Sequence, residues 1–495
     1  MNLKSLAKDT AIYGLSSIAG KSINYLLVPI HTYAFASLTG QYSIVTRLYA
    51  ATAIIILLLT FGMETTMFRF LNKEGEDKQK VYSTITTFVG LLAFVFSLVV
   101  VIFRLPIADV LGYSGLSYSV MAIFLAVALD AFQSIPLAYL RQLKKPLKFM
   151  SVYVGKIAVI VFLNFLYFIA FPKLHINPFG LYSSDFQLDI AFVFYINLLG
   201  SVASTIFLGK EILQARFAID KHLFAQLLSY SWPLVLLGIA GQINKSADKL
   251  LYPFLDTTPQ SAVNLSVYGG VVKIAAIMTM ITQAFRYAYE PIVFGKAGDK
   301  DGKDYQAVAM KFYLMFMLLA FLSVIAFMDV VRYIVAPDYW EGLYIVPIIM
   351  ATEIVFGIYF NLSMWYKLID QTRWGAWFSG IACVIYLGIN VVFVPKYGYV
   401  ACACAGLTAY TVAMLLSYFV GQKKNPIAYP VRDMLCYTLL TATLFVGMTL
   451  ANKYLSVVAA LSVNSILLLL FVAYMLKKDI PLSSLPLVGK KFKKK

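Results

Sequence analysis

The sequence has little charge and few of the residues that build metal or disulfide sites. Only 13% of its 495 residues are Asp, Glu, Lys or Arg, whereas a soluble domain has about 25%. It has four cysteines and three histidines, and neither set has the spacing of a disulfide framework or of a zinc site. The composition therefore argues against a water-soluble fold, and no cofactor is expected.

Long apolar runs take the place of the missing charge. They are about 20 residues long, the length at which an α-helix crosses about 30 Å of hydrocarbon, whereas outer-membrane strands alternate over about 10 residues. The sequence predicts an all-α integral membrane protein with about fourteen spans and no cleavable signal peptide. Spans 1 to 14 are predicted at 10–36, 42–63, 82–103, 117–140, 149–171, 189–209, 226–252, 264–288, 307–328, 343–366, 374–394, 400–420, 433–451 and 457–476.

The basic residues are distributed unevenly between the two sides that these spans define. With the N-terminus inside, 28 of the 41 Lys and Arg residues lie in inner segments, five in outer loops and eight within spans. Such an excess marks the cytoplasmic side, so both termini are expected in the cytoplasm. Because the net charge of +17 is spread over many short loops, it predicts contact with anionic lipids and not with nucleic acid.

The sequence also contains an internal repeat. Spans 1 and 7 share the string K-S-x-x-x-L-L-x-P, which begins at Lys21 and at Lys245, an offset of 224 residues. Spans 2 and 8 match at an offset of 226, where Glu64 corresponds to Glu290 and Arg47 corresponds to Lys273. Charged residues are rare within spans, so several matches in order predict a duplication.

Each copy would hold six spans, so both copies have the same orientation and form a parallel repeat. The predicted domains are an N-terminal six-helix lobe at 1–215, a second lobe at 216–425, an appended pair of helices at 426–476 and a basic cytoplasmic tail at 477–495. A monomer is expected.

Five basic residues lie within spans 1, 2, 7 and 8, at middle or outer depth. A centrally placed Lys or Arg costs about 2.5 to 3.5 kcal/mol to insert, so such residues usually face a cavity or a partner. A cavity lined by cations would suit an anionic ligand. The structural alternative is local salt bridging, because Asp248 lies three residues after Lys245, where span 1 has Asn24. The candidate ligand-binding residues are Lys21, Asn24, Arg47, Lys245, Lys249 and Lys273.

Carboxylates within the spans form a second set of candidates, because deep carboxylates can carry protons or bind Na⁺. Asp130 in span 4 and Glu353 in span 10 lie in helices that correspond across the repeat. Asp130, Glu353 and Asp248 are therefore candidates for coupling to H⁺ or Na⁺, and they can equally be hydrogen-bonding partners of the cations. The histidines lie in loops or at helix ends, and no ligand role is predicted for them.

Three segments of spans 1 and 2 carry a family resemblance. K-D-T-A-I-Y-G-L opens span 1, L-L-V-P-I closes it, and L-L-L-T-F-G-M-E-T-T-M-F-R-F ends span 2. In these strings, in its number of spans and in its duplication, the chain resembles polysaccharide exporters of the Wzx type. Those exporters belong to the multidrug/oligosaccharidyl-lipid/polysaccharide (MOP) exporter superfamily.

The resemblance implies two lobes that rock about a central cavity lined by spans 1, 2, 7 and 8. It implies a transporter and not an enzyme, located in the bacterial cytoplasmic (inner) membrane. The implied cargo is an undecaprenyl-diphosphate-linked glycan for a surface polysaccharide such as O-antigen or capsule. A basic cavity agrees with this anionic cargo and would repel the cationic drugs of multidrug exporters.

Three alternatives stay open on the sequence: a peptidoglycan-precursor flippase, a multidrug exporter of the same superfamily, and a polytopic glycan polymerase. The first would share the basic cavity. A polymerase usually carries a large outer loop with catalytic carboxylates, whereas the longest outer loop here, 172–188, has Asp185 as its one acidic residue.

Overall fold

The computed structural model describes residues 25–72, 77–143, 145–183, 185–216, 218–295, 302–369 and 371–479. Within these ranges the regular structure is helical and contains no strand, which confirms the all-α class. The candidate residues Lys21 and Asn24 lie outside the described residues, as does the basic tail beyond residue 479.

The helices follow the predicted spans. Twelve helices of the described chain are long and apolar enough to cross a membrane, and Ala191–Phe207, at span 6, is a shorter apolar helix. The protein is therefore a multi-pass membrane protein. From span 1 onward the helices are Leu27–Ala34, Tyr42–Thr60 with Met63–Leu71, Lys78–Ile102, Ser117–Gln142, Pro146–Phe165, Ala191–Phe207, Lys221–Leu255, Ser261–Gly295, Gly302–Ala326, Val346–Leu362 with Met364–Leu368, Arg373–Tyr397, Tyr399–Lys424, Val431–Tyr454 and Val457–Lys478.

The described residues group into two compact units. The first unit is drawn from Met1–Lys273 and Ser379–Ala405, and the second from Ile274–Phe378 and Gly406–Lys495. The units are defined by spatial proximity, whereas the lobes are defined by the sequence repeat, so the division into lobes stays a prediction.

Span 2 consists of two helices, Tyr42–Thr60 and Met63–Leu71, with a break between them. At the break, Phe61 and Gly62 have left-handed backbone conformations with φ of 49° and 65°, and a right-handed helix cannot continue through them. Glycine is also favoured by space, because a Cβ on Gly62 would lie 3.3 Å from the Cβ of Leu234. The break therefore depends on the glycine at position 62.

The helix after the break is amphipathic and extends beyond the predicted end of span 2 at residue 63. Glu64 and Arg69 lower the hydropathy of this helix, on which the prediction relies. The helix nevertheless buries four apolar side chains. These are Met63, Met67, Phe70 and Leu71, and they pack in one core with Val81, Tyr82, Ile85, Val89, Ile135, Ala138, Ala215, Leu223 and Leu227. The second helix of span 2 is thus fixed against spans 3, 4 and 7.

Two ion pairs, one in each unit, join residues that correspond in the predicted repeat. In the first, Arg141 of span 4 pairs with Glu64 of span 2. In the second, Nζ of Lys367 in span 10 lies 3.5 Å from Oε1 of Glu290 in span 8. Both pairs join residues that are 77 positions apart, and both partners are displaced by the 226-residue offset of spans 2 and 8. A contact recurs here as well as a residue, which supports the predicted duplication.

A charge network ties the appended helices, spans 13 and 14, to span 9 within the second unit. Lys311 pairs with Asp433 at 2.9 Å and also with Asp479. Lys478 pairs with Asp433 at 2.8 Å, and the hydroxyl of Tyr437 donates to Asp479 at 2.6 Å. Each charge in the network faces an opposite charge, which is the arrangement that makes charges tolerable in an apolar setting.

Candidate functional site: a basic cavity in the first unit

A polar cavity of about 250 Å³ lies within the first unit. Its walls come from spans 1, 2, 7 and 8. The lining residues are Leu27, Val28, His31, Tyr42, Val45, Thr46, Tyr49, Ala50, Lys245, Ser246, Lys249, Gly269, Val272 and Lys273.

Close approaches between these spans shape the walls. At Gly269 a Cβ would lie 1.9 Å from Oγ1 of Thr46, and at Gly238 a Cβ would lie 2.8 Å from Cδ1 of Leu57. Spans 8 and 7 can therefore approach span 2 this closely only because glycine lies at the contacts. The side chains of Thr46 and Leu57 thus pack directly against the glycine backbone of spans 8 and 7.

Three lysines line the cavity. Lys245 and Lys249 are one helical turn apart and lie on the same face of span 7, and Lys273 comes from span 8. Lys245 lies ten residues before the helix end at Leu255, or about 15 Å along the helix axis. Lys245 and Lys273 are exposed, and the space that they face is this cavity. The cations thus converge on one polar space at middle depth in the predicted spans.

One buried carboxylate adjoins the lysines. Asp248 is only 2% exposed, and its Oδ2 lies 2.9 Å from Nζ of Lys249. The hydroxyl of Tyr268 donates to the same oxygen at 2.5 Å. For Lys273 the described residues offer no ion pair. Among the residues that the structure describes, three lysines face the cavity and one carboxylate adjoins it, an excess of positive charge.

Arg47, the other predicted cation of span 2, does not line the cavity. It is 6% exposed, and its Nη1 donates to the carbonyl oxygen of Leu111 at 2.7 Å. Its guanidinium lies 4.9 Å from the ring centre of Phe254 and 5.5 Å from that of Tyr113. Arg47 thus packs against two aromatic rings and one backbone carbonyl, away from the residues that line the cavity.

Asp130 and Glu353, the predicted coupling residues, also lie outside the cavity lining. Asp130 pairs with Lys156 of span 5 and accepts a hydrogen bond from Oγ of Ser201 at 2.7 Å. Glu353 is half-buried on span 10 in the second unit. The structure thus does not bring either carboxylate together with the three lysines of the cavity.

Several polar side chains of the cavity were not predicted from the sequence. His31 is buried, and its Nε2 lies 2.7 Å from Oδ1 of Asn164. The hydroxyl of Tyr49 accepts a hydrogen bond from Asn197 at 2.6 Å. Tyr42, Val45, Thr46, Tyr49 and Ala50 have the i, i+3, i+4, i+7, i+8 spacing of one helix face, and this spacing could have identified the wall.

The loop between spans 7 and 8 is held by a buried carboxylate. Asp256 accepts hydrogen bonds from the backbone N–H of Thr258 at 3.1 Å, from its hydroxyl at 2.6 Å and from Asn264 at 3.0 Å. Burial alone would raise the pKa of Asp256, but these hydrogen bonds outweigh it and hold the pKa below its ordinary value. The loop therefore fixes the ends of two walls of the cavity.

No metal-binding group can be assigned in the part of the chain that the structure describes. Its residues contain no cluster of three or more His, Cys, Asp or Glu side chains that could hold an ion. The chemistry of the cavity is that of lysine ammonium groups, hydroxyls and one imidazole.

The family model of polysaccharide biosynthesis proteins matches residues 6–289, which is more than half of the chain. No curated protein sequence matches significantly.

Among solved structures, that of the lipid II flippase MurJ in an inward closed conformation has a TM-score of 0.72 at 16% identity, covering 94% of this chain and 99% of that one. An inward-facing multidrug resistance MATE family transporter of the MOP superfamily has a TM-score of 0.64 at 13% identity, covering 81% and 94%. A MOP superfamily transporter from Pyrococcus furiosus has a TM-score of 0.54 at 13% identity, covering 84% and 95%. These likenesses show a shared fold.

Proposed function

Because the chain belongs to the polysaccharide biosynthesis protein family and has the fold of MOP superfamily transporters, we propose that it is a flippase for an anionic lipid-linked oligosaccharide. Its cargo is a polyprenyl-diphosphate-linked glycan, moved from the cytoplasmic to the periplasmic leaflet of the bacterial inner membrane. The protein acts as a transporter and not as an enzyme. Both of its termini lie in the cytoplasm.

The observation that carries this proposal is the convergence of Lys245, Lys249 and Lys273 on one cavity. A diphosphate is a compact, multiply charged anion, and lysine ammonium groups are common ligands of phosphate oxygens. The apolar walls around the cavity strengthen this attraction, because charges interact more strongly where water is scarce. The cargo's headgroup therefore has a charged binding surface within the membrane, while its prenyl tail can stay in lipid.

The energetics of outward movement favour this cargo. An anion that leaves an inside-negative cell gains about 2.3 kcal/mol per charge per 100 mV. Alternating access then needs only to expose the cavity to one side at a time, and coupling to H⁺ or Na⁺ is not required.

The groups that line the cavity disfavour a multidrug exporter and a glycan polymerase, but they do not distinguish a peptidoglycan-precursor flippase. A lipophilic cation would be repelled by three lysines, which disfavours a multidrug exporter. A glycan polymerase would need catalytic groups around the sugar, whereas this cavity offers lysines, hydroxyls and an imidazole. A peptidoglycan-precursor flippase would use the same diphosphate contacts, and rescue of a strain depleted of its own precursor flippase would identify that cargo.

The test is transport of a fluorescent polyprenyl-diphosphate disaccharide in proteoliposomes. The comparison is between the wild type, Lys273→Ala and Lys453→Ala, where Lys453 is an exposed lysine at the end of span 13. We expect Lys273→Ala to lower the initial rate about tenfold or more, since a hydrogen bond to a charged group is worth about 1.5 to 3 kcal/mol. Lys453→Ala should match the wild type. Equal rates for all three proteins would contradict the proposed role of the cavity.

A further inference from the structure

The charge of Lys249 is already paired within the protein. Its Nζ lies 2.9 Å from Oδ2 and 3.1 Å from Oδ1 of Asp248. The same Nζ lies 3.4 Å from the carbonyl oxygen of Lys245 and 5.2 Å from the ring centre of Tyr268. The donors of this ammonium group are therefore directed at its own helix and at one aromatic wall.

Asp248, the carboxylate that pairs with Lys249, lies behind the residues that line the cavity. Asp248 is 2% exposed and does not line the cavity, whereas Lys249 does. The hydroxyl of Tyr268, which is itself buried, donates to Asp248 at 2.5 Å. A buried carboxylate needs such compensation, because a charge without partners in an apolar interior is strongly unfavourable. Asp248 thus stays in place while the space in front of Lys249 is open to a ligand.

This arrangement is particular to span 7. In the register of the repeat, Lys245 and Asp248 of span 7 correspond to Lys21 and Asn24 of span 1. The second copy therefore has a carboxylate where the first has a neutral amide. Lys249, the partner of Asp248, corresponds to Tyr25 of span 1, so the lysine and its carboxylate occur together in the second copy only.

We propose that Asp248 is a resident counter-ion that competes with the anionic cargo for Lys249. This inference rests on the proposed function. When the cavity is empty, Asp248 holds the ammonium group. When a diphosphate enters, its oxygens share or displace that contact, so the cargo binds less tightly than it would if Lys249 had no resident partner. When the cargo leaves, Asp248 recovers Lys249. Asp248 is accordingly a positioning residue that limits affinity and promotes release.

The first measurement is equilibrium binding of undecaprenyl diphosphate to the full-length protein in nanodiscs of neutral lipid, with uncharged undecaprenol as the tail-only control. Asp248→Asn keeps an oxygen that can accept from Tyr268 but removes the charge. We expect this variant to bind undecaprenyl diphosphate about tenfold more tightly, with no change for undecaprenol. In proteoliposomes its apparent KM and its maximal rate should both fall, because release becomes slow. Weaker or unchanged binding would overturn the inference.

Two further variants separate a counter-ion from a merely structural residue. In a Lys249→Ala background, Asp248→Asn should leave the affinity for undecaprenyl diphosphate no tighter than in Lys249→Ala alone, since the lysine that Asp248 competes for is gone. Tyr268→Phe removes the hydroxyl that stabilises Asp248 and should strengthen its hold on Lys249. The expected result is binding about two- to threefold weaker, opposite in sign to Asp248→Asn. A change of the same sign in both single variants would contradict the competition.

The control is Glu211→Gln, which removes another buried carboxylate of the first unit, one that pairs with Lys148 and not with a lysine of the cavity. Its affinity per folded molecule should equal that of the wild type. Should the wild type itself fail to bind undecaprenyl diphosphate, the proposed function fails. Should the wild type bind and Asp248→Asn bind no better, the function stands and only the counter-ion role is lost.

Discussion

The cavity of the first unit is lined by three lysines, whereas the larger cavity of the second unit, about 580 Å³, is lined almost entirely by apolar side chains of spans 9, 10, 12 and 13. Yet the two units keep a matching ion pair, Glu64 with Arg141 and Glu290 with Lys367, at the same spacing. The two units thus share an ion pair at the same spacing, while their cavities differ in chemistry. Function that depends on charge is therefore expected in the first unit.

The largest effect is expected from placing a charge in the apolar cavity of the second unit and, for comparison, removing one from the basic cavity of the first. Thr441 is buried and lines the apolar cavity, so Thr441→Lys places an ammonium group among lining residues that include no carboxylate in the described part of the chain. We expect a loss of about 2.5 to 3.5 kcal/mol in the free energy of unfolding, measured by thermal denaturation in detergent. Lys273→Met in the first unit should not lower the stability, because it removes a charge from among like charges. Equal tolerance of lysine in both cavities would contradict the distinction.

The second unit also contains buried charge, which holds span 9 against spans 13 and 14. Lys311 is the cation that both Asp433 and Asp479 contact, so Lys311→Met leaves two carboxylates poorly compensated. The expected loss is about 2 kcal/mol, below the 3 to 5 kcal/mol seen for fully buried pairs, because Asp433 is a third exposed. Thermal denaturation measures it, with the exposed Lys423→Met as the matched control. Partial recovery by adding Asp433→Asn would attribute the loss to the carboxylates.

The first unit has a polar contact whose contribution should depend on pH. Hydrogen bonds hold the pKa of Asp256 below its ordinary value, so the folded state prefers the charged form. This stability is present above the ordinary Asp pKa of about 3.9 and is lost as pH falls through the lower folded-state value. Asp256→Asn should therefore be less stable than the wild type by about 1 kcal/mol at pH 7. The difference in melting temperature should shrink below about pH 4. A difference that grows in acid would contradict this sign.

The smallest effects are expected at the matched ion pairs. Their side chains are about a third exposed, 33% and 41% in the first pair and 30% and 34% in the second, so each pair should contribute about 0.5 kcal/mol. Glu64→Arg and Glu290→Lys should each destabilise by a similar small amount. Adding Arg141→Glu or Lys367→Glu, respectively, should restore the stability by reversing the pair. A large loss from one copy and none from the other would break the equivalence of the two units.

Most of the fold could be predicted from the sequence, because a membrane-spanning helix is recognisable from the length and apolarity of its segment. The helices begin and end within several residues of the predicted spans 2 to 14. The break in span 2 was not predicted. Phe61 and Gly62 lie inside an apolar run, and hydropathy contains no information about a left-handed backbone. The helix after the break was missed because its apolar residues face the core on one side only.

The site was predicted less completely. Intramembrane lysines are conspicuous because charge is rare in spans, and Lys245, Lys249 and Lys273 do share one cavity. Arg47 was grouped with them on depth alone. Its position is about 200° around the helix from Val45, so the face that lines the cavity excludes it. The apolar cavity of the second unit could not be predicted, since every span is apolar and the sequence does not show where helices leave a gap.

The most direct test of the central claim is a comparison of anion and cation binding by the same protein in neutral nanodiscs. Undecaprenyl diphosphate and the lipophilic cation tetraphenylphosphonium would be titrated into the wild type and into the triple variant Lys245→Ala, Lys249→Ala, Lys273→Ala. We expect the wild type to bind the diphosphate and not the cation. We expect the triple variant to lose its binding of the diphosphate, because the lysines that line the cavity are gone. Binding of tetraphenylphosphonium by the wild type, with no binding of undecaprenyl diphosphate, would contradict the account.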